Sequence, residues 1–484
     1  MVNDFLISDD MKNYPHFDNH IFLENINKLV TDPQRVAKHC FYPFIQYELK
    51  RPKFRKKPKP KSKPEQPRRI RYAARGDAYI FKYYRSVLSE LYEQKLIELG
   101  IQNCPIAYRR IPRSNKNRNK CNIDFAKDAF DEIDKQGNCV AIALDIEGYF
   151  ESLDHQKIKE IWCKLLGVDK LGADHYAIFK NITQYRYVEQ DKLYERLGYT
   201  KKRINPHTKE EYIVHKNYKE IPRKLCSNTD FREKICGKDS IIQKNQFSYG
   251  IPQGAPISDL IANFYLLDFD LLINKFVLEK NGRYMRYSDD ILIIIPGGED
   301  EAQAAIRYVE EQIKNFGNQL QIKTSKTCAI QFKQQHDGSL QCNHLKQFTE
   351  EKHKEGLEYL GFRYDGCKVY IRNSTISHLY RKVSKAVIKE VLLSARRFPD
   401  LNESALLEKI NYHLIKQSFA QMDKRKMKRS KEERNFYSYL KTATDTFGYE
   451  KGDCIIKQIN KLSNFIKRRI EKRVRQSVIR KRIA

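Results

Sequence analysis

The chain has 484 residues, of which 40% are hydrophobic, and its 91 Lys and Arg outnumber 61 Asp and Glu to give a formal net charge of +30. That length excludes a single small domain, and that apolar content supports a substantial core. A surplus of positive charge this large points to a polyphosphate partner, since each neutralised phosphate releases condensed counterions, although charge alone leaves a merely soluble basic protein open.

The cysteines give no Cys-x-x-Cys pair, so neither a zinc ribbon nor a dithiol redox site is indicated, and scattered thiols suit a reducing cytosol. The first ten residues lack the basic-then-apolar layout of a signal peptide, and no apolar run approaches the ~20 residues that span a bilayer. The expectation is a soluble cytoplasmic protein without a membrane partner.

In chain order, residues 1–49 read as a small mixed segment. Between Lys50 and Arg71 stand twelve Lys or Arg and five prolines. Proline at that density opposes helix and strand pairing, and like charges extend the chain, so this stretch is expected to be an exposed, semi-rigid linker. A phosphate-tracking arm that orders on RNA is the alternative. Residues 77–99 carry Ile80, Tyr84, Leu88, Leu91 and Leu96 on one helical face. A basic stretch follows, from Tyr108-Arg109-Arg110 through Arg113 to Lys120. Residues 139–144 are a short apolar run, expected as a buried strand. Asp154 is a candidate N-cap for a helix with Ile158, Ile161, Trp162 and Leu165 at helical spacing. Residues 184–247 show weak periodicity and read as an insertion. Residues 258–278 read as one strongly apolar helix and residues 283–295 as a hairpin with Ser288-Asp289 near its turn. Residues 301–316 form an amphipathic helix that stops at Gly317. Strands follow near 320–322 and 329–332, and from about residue 374 the chain is helical and very basic.

Two short stretches carry the chemistry. Asp145 closes the apolar run, and Asp289-Asp290 sit at the expected hairpin turn. Transfer of a nucleotidyl group to a 3′-hydroxyl needs that hydroxyl ionised and the leaving pyrophosphate neutralised. Two divalent cations held by carboxylates do both. An Asp-Asp pair in a turn is by itself usually structural, because Asp favours turns. What reverses that reading is the presence of further pieces in order.

Those pieces resemble the motifs of reverse transcriptases. Asp145-Ile146-Glu147-Gly148-Tyr149-Phe150 and the following Ser152-Leu153-Asp154-His155 are similar to the family's first carboxylate motif. Gly250-Ile251-Pro252-Gln253-Gly254 resembles its substrate-binding motif, and Tyr287-Ser288-Asp289-Asp290 its aromatic-x-Asp-Asp box. Thr324-Ser325-Lys326-Thr327 looks like its lysine motif, and Leu357-Glu358-Tyr359-Leu360-Gly361-Phe362 like its primer-grip hairpin. The resemblance covers roughly residues 140–362. It implies an α+β right-hand polymerase, with fingers over 72–139, a palm over 140–366 that includes the insertion, and a basic helical thumb over 367–484.

The resemblance also implies roles. Asp145, Asp289 and Asp290, with the Ile146 carbonyl, would hold two Mg²⁺, with Mn²⁺ as an alternative. Phe150 matches the steric gate that leaves no room for a 2′-hydroxyl and so selects dNTPs. Gln253 and Gly254 would contact the incoming nucleotide, the glycine permitting close backbone approach. Lys326 is the candidate proton donor to pyrophosphate, with Lys323 or a solvated role left open. Arg109, Arg110 and Arg113 lie where fingers residues bind the triphosphate, or alternatively the template strand. Tyr359, Leu360 and Gly361 form the primer grip. His155 is expected to cap the following helix and Glu147 to face the nucleotide channel or solvent, neither as a catalyst.

No nuclease, integrase or RNase H stretch is recognisable, and the signatures of retron enzymes are absent. What remains resembles the free-standing bacterial reverse transcriptases of antiphage defence. That implies a noncoding RNA template, dNTP substrates and a DNA product. Template-independent or homopolymer synthesis, including synthesis primed from a tyrosine, stays open, as does an RNA-binding effector with a vestigial palm. Basic thumb helices would track an A-form duplex by shape and backbone, and self-association through the last helix is the alternative, giving a homo-oligomer.

Overall fold

The computed structural model describes residues 11–49, 67–113, 116–205, 208–348, 356–419 and 435–483. Most of the expected linker and the basic stretch 422–434 lie outside the described residues.

The fold is α+β, and its centre is a five-stranded antiparallel sheet. In spatial order its strands are Arg283–Tyr287, Asp290–Pro296, Cys139–Asp145, Cys328–Gln334 and Leu340–His344. Alternate side chains of a strand face opposite sides, so a strand covered on both faces must be apolar throughout. That is why Ile291–Ile295 is an unbroken apolar run. Val140, Ile142, Leu144, Ile291, Ile293 and Ile295 pack into one core with the helices Arg75–Glu98, Ser258–Tyr265, Leu267–Leu278 and Glu299–Lys314. Ala141, Leu292, Ile294, Ile330 and Phe332 face a second core, with the helix Asn122–Gln136 and the thumb helices. All of these strand residues are buried, and truncating one such as Ile293 to Ala would cost about 2–5 kcal/mol.

The thumb follows a three-stranded sheet of Leu357–Tyr359, Phe362–Tyr364 and Val369–Ile371. Its two longest helices, Asn373–Arg397 and Leu462–Ile483, pack through Val383, Val387 and Val391 on one and Ile466, Ile470 and Val474 on the other. The four-residue spacing puts each set on one helical face.

A separate four-stranded sheet is ordered Arg68–Tyr72, Phe44–Leu49, Arg186–Glu189 and Gln243–Lys244, and only Tyr72 of it falls within the expected fingers range 72–139. Here the structure corrects the reading of the linker. Arg68–Arg71 are part of a strand that pairs antiparallel with Phe44–Leu49, Tyr47 opposite Ile70 and Ile45 opposite Tyr72. A strand written Arg-Arg-Ile-Arg-Tyr has too little apolar alternation to announce itself. The segment 184–247 also joins this sheet, since Arg186–Glu189 pairs parallel with Phe44–Leu49. It adds the helix Gln190–Arg196 and the hairpin Thr200–Ile204 with Glu211–His215. A small third core of Phe17, Ile45, Val188, Leu193, Ile221 and Leu225 ties it to the N-terminal residues.

One further difference concerns residues 258–278, which form two helices that meet at Leu266 (φ −95°, ψ 20°). Neither Gly nor Pro lies in that run, so no residue there signals a break. Among the described residues, no helix is long and apolar enough to cross a membrane.

Candidate active site

The sheet register brings the carboxylates together. Asp290 lies directly opposite Asp145 across two hydrogen-bonded strands. Asp289 sits in the two-residue turn that joins Tyr287 to Asp290, and its carbonyl accepts from the Ile146 amide at 3.0 Å. Asp145 and Asp290 therefore project from adjacent strand ends, with Asp289 beside them. Ser288 makes this turn in the left-handed region at φ 62°, a conformation that a non-glycine residue holds only when its surroundings insist.

Those surroundings are a buried polar cluster on which the motifs gave no information. Arg286 bridges Asp270 through Nε at 2.7 Å and Nη2 at 2.6 Å. Its Nη1 donates to the Ser288 carbonyl at 3.0 Å, and Nη2 also reaches the Asn263 carbonyl at 3.0 Å. The Tyr284 hydroxyl donates to Asp270 at 2.6 Å. The guanidinium thus anchors the Asp289 turn to the helices beneath the sheet. Bidentate geometry makes this arginine a rigid support.

Burial, together with the neighbouring Asp145 charge, raises the Asp289 carboxyl above its ordinary range, an effect opposed by Lys326 and Arg68. Asp290 keeps a solvent-facing surface, yet the protein crowded around it withdraws enough water to push its carboxyl up to about 7, helped by Asp289 and Asp145. A carboxyl that neighbouring carboxylates push up is relieved by a cation. Lys326 supplies one, with Nζ 2.5 Å from Asp145 Oδ1. Hard oxygen donors on rigid strands fit divalent ions chemically. Among the described residues, however, no three acidic or His/Cys side chains converge as a ready coordination shell. Lys323 pairs with the exposed Glu147 at 3.3 Å, and its amide donates to the Asp145 carbonyl at 2.8 Å.

The residues expected to contact the nucleotide are linked to their neighbours through the backbone. Phe150 lies in the short helix Tyr149–Ser152, its ring half-buried and packed on the core. Its carbonyl accepts from the Ile251 amide at 2.8 Å, which ties the first carboxylate motif to the Gln253-Gly254 turn. The Arg71 amide donates to the Gln253 carbonyl at 2.8 Å. Gly254 has φ 117°, and a Cβ there would stand 2.9 Å from the Arg71 carbonyl oxygen and 3.0 Å from Ile70 Cγ2. Only glycine allows the strand Arg68–Tyr72 to approach this turn so closely. In the primer-grip hairpin, Leu360 and Gly361 both have positive φ, at 46° and 92°, as a two-residue hairpin turn requires. Tyr359 is buried in the first strand of that hairpin, and burial, followed by the Asp290 charge, raises the pKa of its hydroxyl.

Several expectations are corrected. Arg109 is held by Glu93 in a bidentate pair and by the carbonyls of Gln102 and Pro105, with only 5% of its side chain exposed. Four of its five N–H donors are taken up within the protein, so it braces this part of the chain and is not free to clamp a triphosphate. Arg113 is paired with Asp124 at 2.5 Å. Arg110 alone of the three is exposed. Arginines whose charge or backbone does reach the site include Arg68, which acts electrostatically on Asp289, Arg372, which acts on Asp290, and Arg71. His155 does not cap its helix: Asp154 does, accepting from the Lys157 amide at 2.9 Å. The His155 ring contacts the Gly250 carbonyl at 2.8 Å. Tyr108, which opens the basic stretch, stands near the carboxylate turn. It is exposed, left-handed at φ 58°, and its ring lies 6.3 Å from that of Tyr287.

Residues 195–364 match the family model described as Reverse transcriptase (RNA-dependent DNA polymerase), so the chain carries a domain of that kind. The matched residues include Gln253, Gly254, Asp289, Asp290, Lys326 and the primer-grip hairpin, and begin beyond Asp145 and Phe150. No curated protein matches the chain. Among solved structures, it is similar to telomerase from Candida albicans in complex with the TWJ fragment of telomeric RNA. That pair has 12% identity and a TM-score of 0.38, over 93% of this chain and 65% of that one. Apo telomerase from Candida tropicalis gives 13% identity and a TM-score of 0.35, over 96% and 73%. The same organism's apo telomerase truncated from its C-terminal domain gives 10% and 0.35, over 63% and 52%. The chain thus spans between 52% and 73% of the length of these structures, and likeness at such scores carries no functional conclusion.

Proposed function

We propose that this chain is an RNA-directed DNA polymerase that works with two Mg²⁺ and copies a companion noncoding RNA in bacterial antiphage defence. One observation carries the chemical part: Asp145 and Asp290 are paired across adjacent strands with Asp289 in the connecting turn. Asp145 and Asp289, with Asp290 nearby and the Ile146 carbonyl, would hold the ions, which supply charge neutralisation for the attacking 3′-oxygen and the leaving pyrophosphate.

The protein's own residues do the rest. The half-buried Phe150 ring lies under the nucleotide sugar and excludes a 2′-hydroxyl. The Gln253-Gly254 turn, which the Arg71 amide fixes in place, positions the base and sugar. As the 3′-hydroxyl gives up its proton to solvent and its oxygen bonds to the α-phosphorus, the bond to pyrophosphate breaks, and Lys326 gives its proton to the leaving oxygen. The role in defence and the noncoding template follow from the resemblance to free-standing bacterial reverse transcriptases, and the +30 charge supports an RNA partner.

The test uses the purified full chain, a DNA-primed RNA template, Mg²⁺ and four dNTPs. DNA that is complementary to the template is the expected product. No incorporation with either Mg²⁺ or Mn²⁺ would sink the polymerase reading, and one-nucleotide runs that ignore the template would sink templated copying. Sequencing the RNA that co-purifies with the chain from its host identifies the template.

A further inference from the structure

A cavity of about 450 Å³ opens beside the four-stranded sheet of Arg68–Tyr72 and Phe44–Leu49, outside the carboxylate site. Tyr14, Tyr47, Tyr72, Tyr194 and Tyr218 line it. Tyr47 and Tyr218 are 37% and 53% exposed. The Tyr14 and Tyr47 rings lie 5.5 and 6.1 Å from that of Tyr72. We propose that this cavity receives an unpaired base of single-stranded RNA, a reading that rests on the polymerase function above and gives the chain a hold on the strand beside the copied segment.

Four observations select that occupant. First, the walls are aromatic and partly uncovered, and stacking a base on such rings is worth about 1–3 kcal/mol whatever the base. Second, the polar group within is an amide that is loosely held. Gln190 Nε2 donates to the Tyr72 and Tyr194 hydroxyls at 3.4 Å each, at the long limit of such bonds. A better placed acceptor would replace them, and an amide offers both the donor and the acceptor that base edges require. Third, the rim is cationic. Lys216 lines the cavity, and the Arg223 guanidinium lies 4.5 Å over the Tyr218 ring. A neutral apolar ligand gains nothing from that charge, whereas a phosphodiester does. Fourth, Tyr72 directly follows Arg71, whose amide is bonded to Gln253. One strand therefore touches both the expected nucleotide turn and the cavity.

The site is also stiff. The Tyr14 hydroxyl donates to the Ala73 carbonyl at 2.9 Å and the Tyr218 hydroxyl to the Asn13 carbonyl at 3.2 Å. Walls fixed in advance lose less freedom on binding. A base inside a duplex is stacked and paired, and cannot enter; an unstacked base can.

The test measures the affinity of the full chain for a labelled short oligouridylate and for a duplex RNA, by fluorescence anisotropy. The double variant Tyr47→Ala/Tyr218→Ala should weaken single-strand binding by about 10- to 100-fold, leave duplex binding unchanged, and melt like the parent. Tyr47→Phe/Tyr218→Phe, which keeps both rings, should bind nearly as the parent does. Unchanged single-strand affinity in the alanine variant, or an equal loss for duplex, overturns the proposal. So does competition by free UMP at the affinity of the strand. Should the alanine variant melt early, cross-linking of 4-thiouridine RNA to the parent decides: adducts at Tyr47 or Tyr218 support the site, and adducts only elsewhere overturn it. Primer extension by the parent is run in parallel. Extension with tyrosine-independent binding removes the base site alone, while tyrosine-dependent binding without extension removes the polymerase reading alone.

Discussion

Arg286 and Asp270 form an ion pair in which neither side chain has any exposure, and the same guanidinium holds the carbonyl of Ser288, the residue before Asp289. The position of the carboxylate turn is thereby set from below, by a charge on a helix. Removing one partner leaves the other charged and buried, so Asp270→Asn should cost about 3–5 kcal/mol in urea unfolding. Replacing both by apolar residues, Asp270→Leu with Arg286→Met, should restore most of that stability, because no uncompensated charge remains. Polymerase activity should not return with it, since the Ser288 carbonyl has lost its donor. Recovery of activity in the double variant would show that the pair serves stability alone.

Asp289→Asn keeps the shape of the turn and removes one negative charge where cations are expected. DNA synthesis should disappear, while RNA still co-purifies with the variant and its melting temperature does not fall. The same loss should follow chelation of divalent ions from the parent and reverse when Mg²⁺ is restored. Retained synthesis in the variant would refute the metal assignment.

Phe150 is half-buried and tied through its carbonyl to the Ile251 amide, so a smaller side chain alters the pocket and leaves that backbone bond intact. Phe150→Val should admit ribonucleotides, which is read as a fall in the ratio of kcat/KM for dNTP over NTP. An unchanged ratio would return Phe150 to the role of plain core.

Lys326 and a divalent cation compete for the same oxygen, since Nζ lies 2.5 Å from Asp145 Oδ1. Two opposite effects follow from Lys326→Ala. The Mg²⁺ concentration for half-maximal activity should drop, because Asp145 no longer has an internal counterion. Meanwhile kcat should fall by about 100-fold, the lower end of what a positioned general acid contributes. A rise in the Mg²⁺ requirement would contradict the competition.

The carboxylate strands were legible because Cys139–Asp145 is a short apolar run closed by Asp and Asp290–Pro296 is one opened by Asp, with spacing that depends on backbone register alone. The Gln253-Gly254 turn was legible for a related reason: glycine there answers a backbone approach, and local sequence records it. What stayed hidden depends on distant parts of the chain. Arg109, Arg110 and Arg113 look alike in sequence, and only the placement of Glu93 and Asp124 reveals that two of them are bound up in ion pairs. Arg71 stood in a stretch whose charge density resembled a linker, though its side chain is buried against Gln46 and the rings of Tyr185 and Tyr187. Asp270 lay in an apolar helix with nothing to distinguish it from a solvent-facing acid. Buried polar pairs are properties of two elements at once, and periodicity reads one element at a time.

His16 gives the fold a built-in sensitivity to acid. Its ring is fully buried, Nδ1 accepts from the Phe17 amide at 2.9 Å, and the Tyr72 ring meets it edge-on at 5.6 Å. Burial disfavours the imidazolium and lowers its pKa from 6.5 to about 3, with Arg75 adding to the effect against an opposing backbone contact at Tyr72. Because the folded pKa lies below the unfolded one, the unfolded chain binds a proton between these values that the folded chain does not. Stability from this residue is therefore complete above about pH 6.5 and declines as pH falls, by up to about 1.4 kcal/mol per pH unit, until about pH 3. At pH 5 the loss should amount to about 2 kcal/mol. Urea unfolding of the parent and of His16→Gln at pH 7.5 and pH 5 isolates the term, since the other histidines are common to both. The variant should be less stable at pH 7.5 and lose less on acidification. Parallel losses in the two proteins would mean that His16 is already protonated, or exposed, in the folded state.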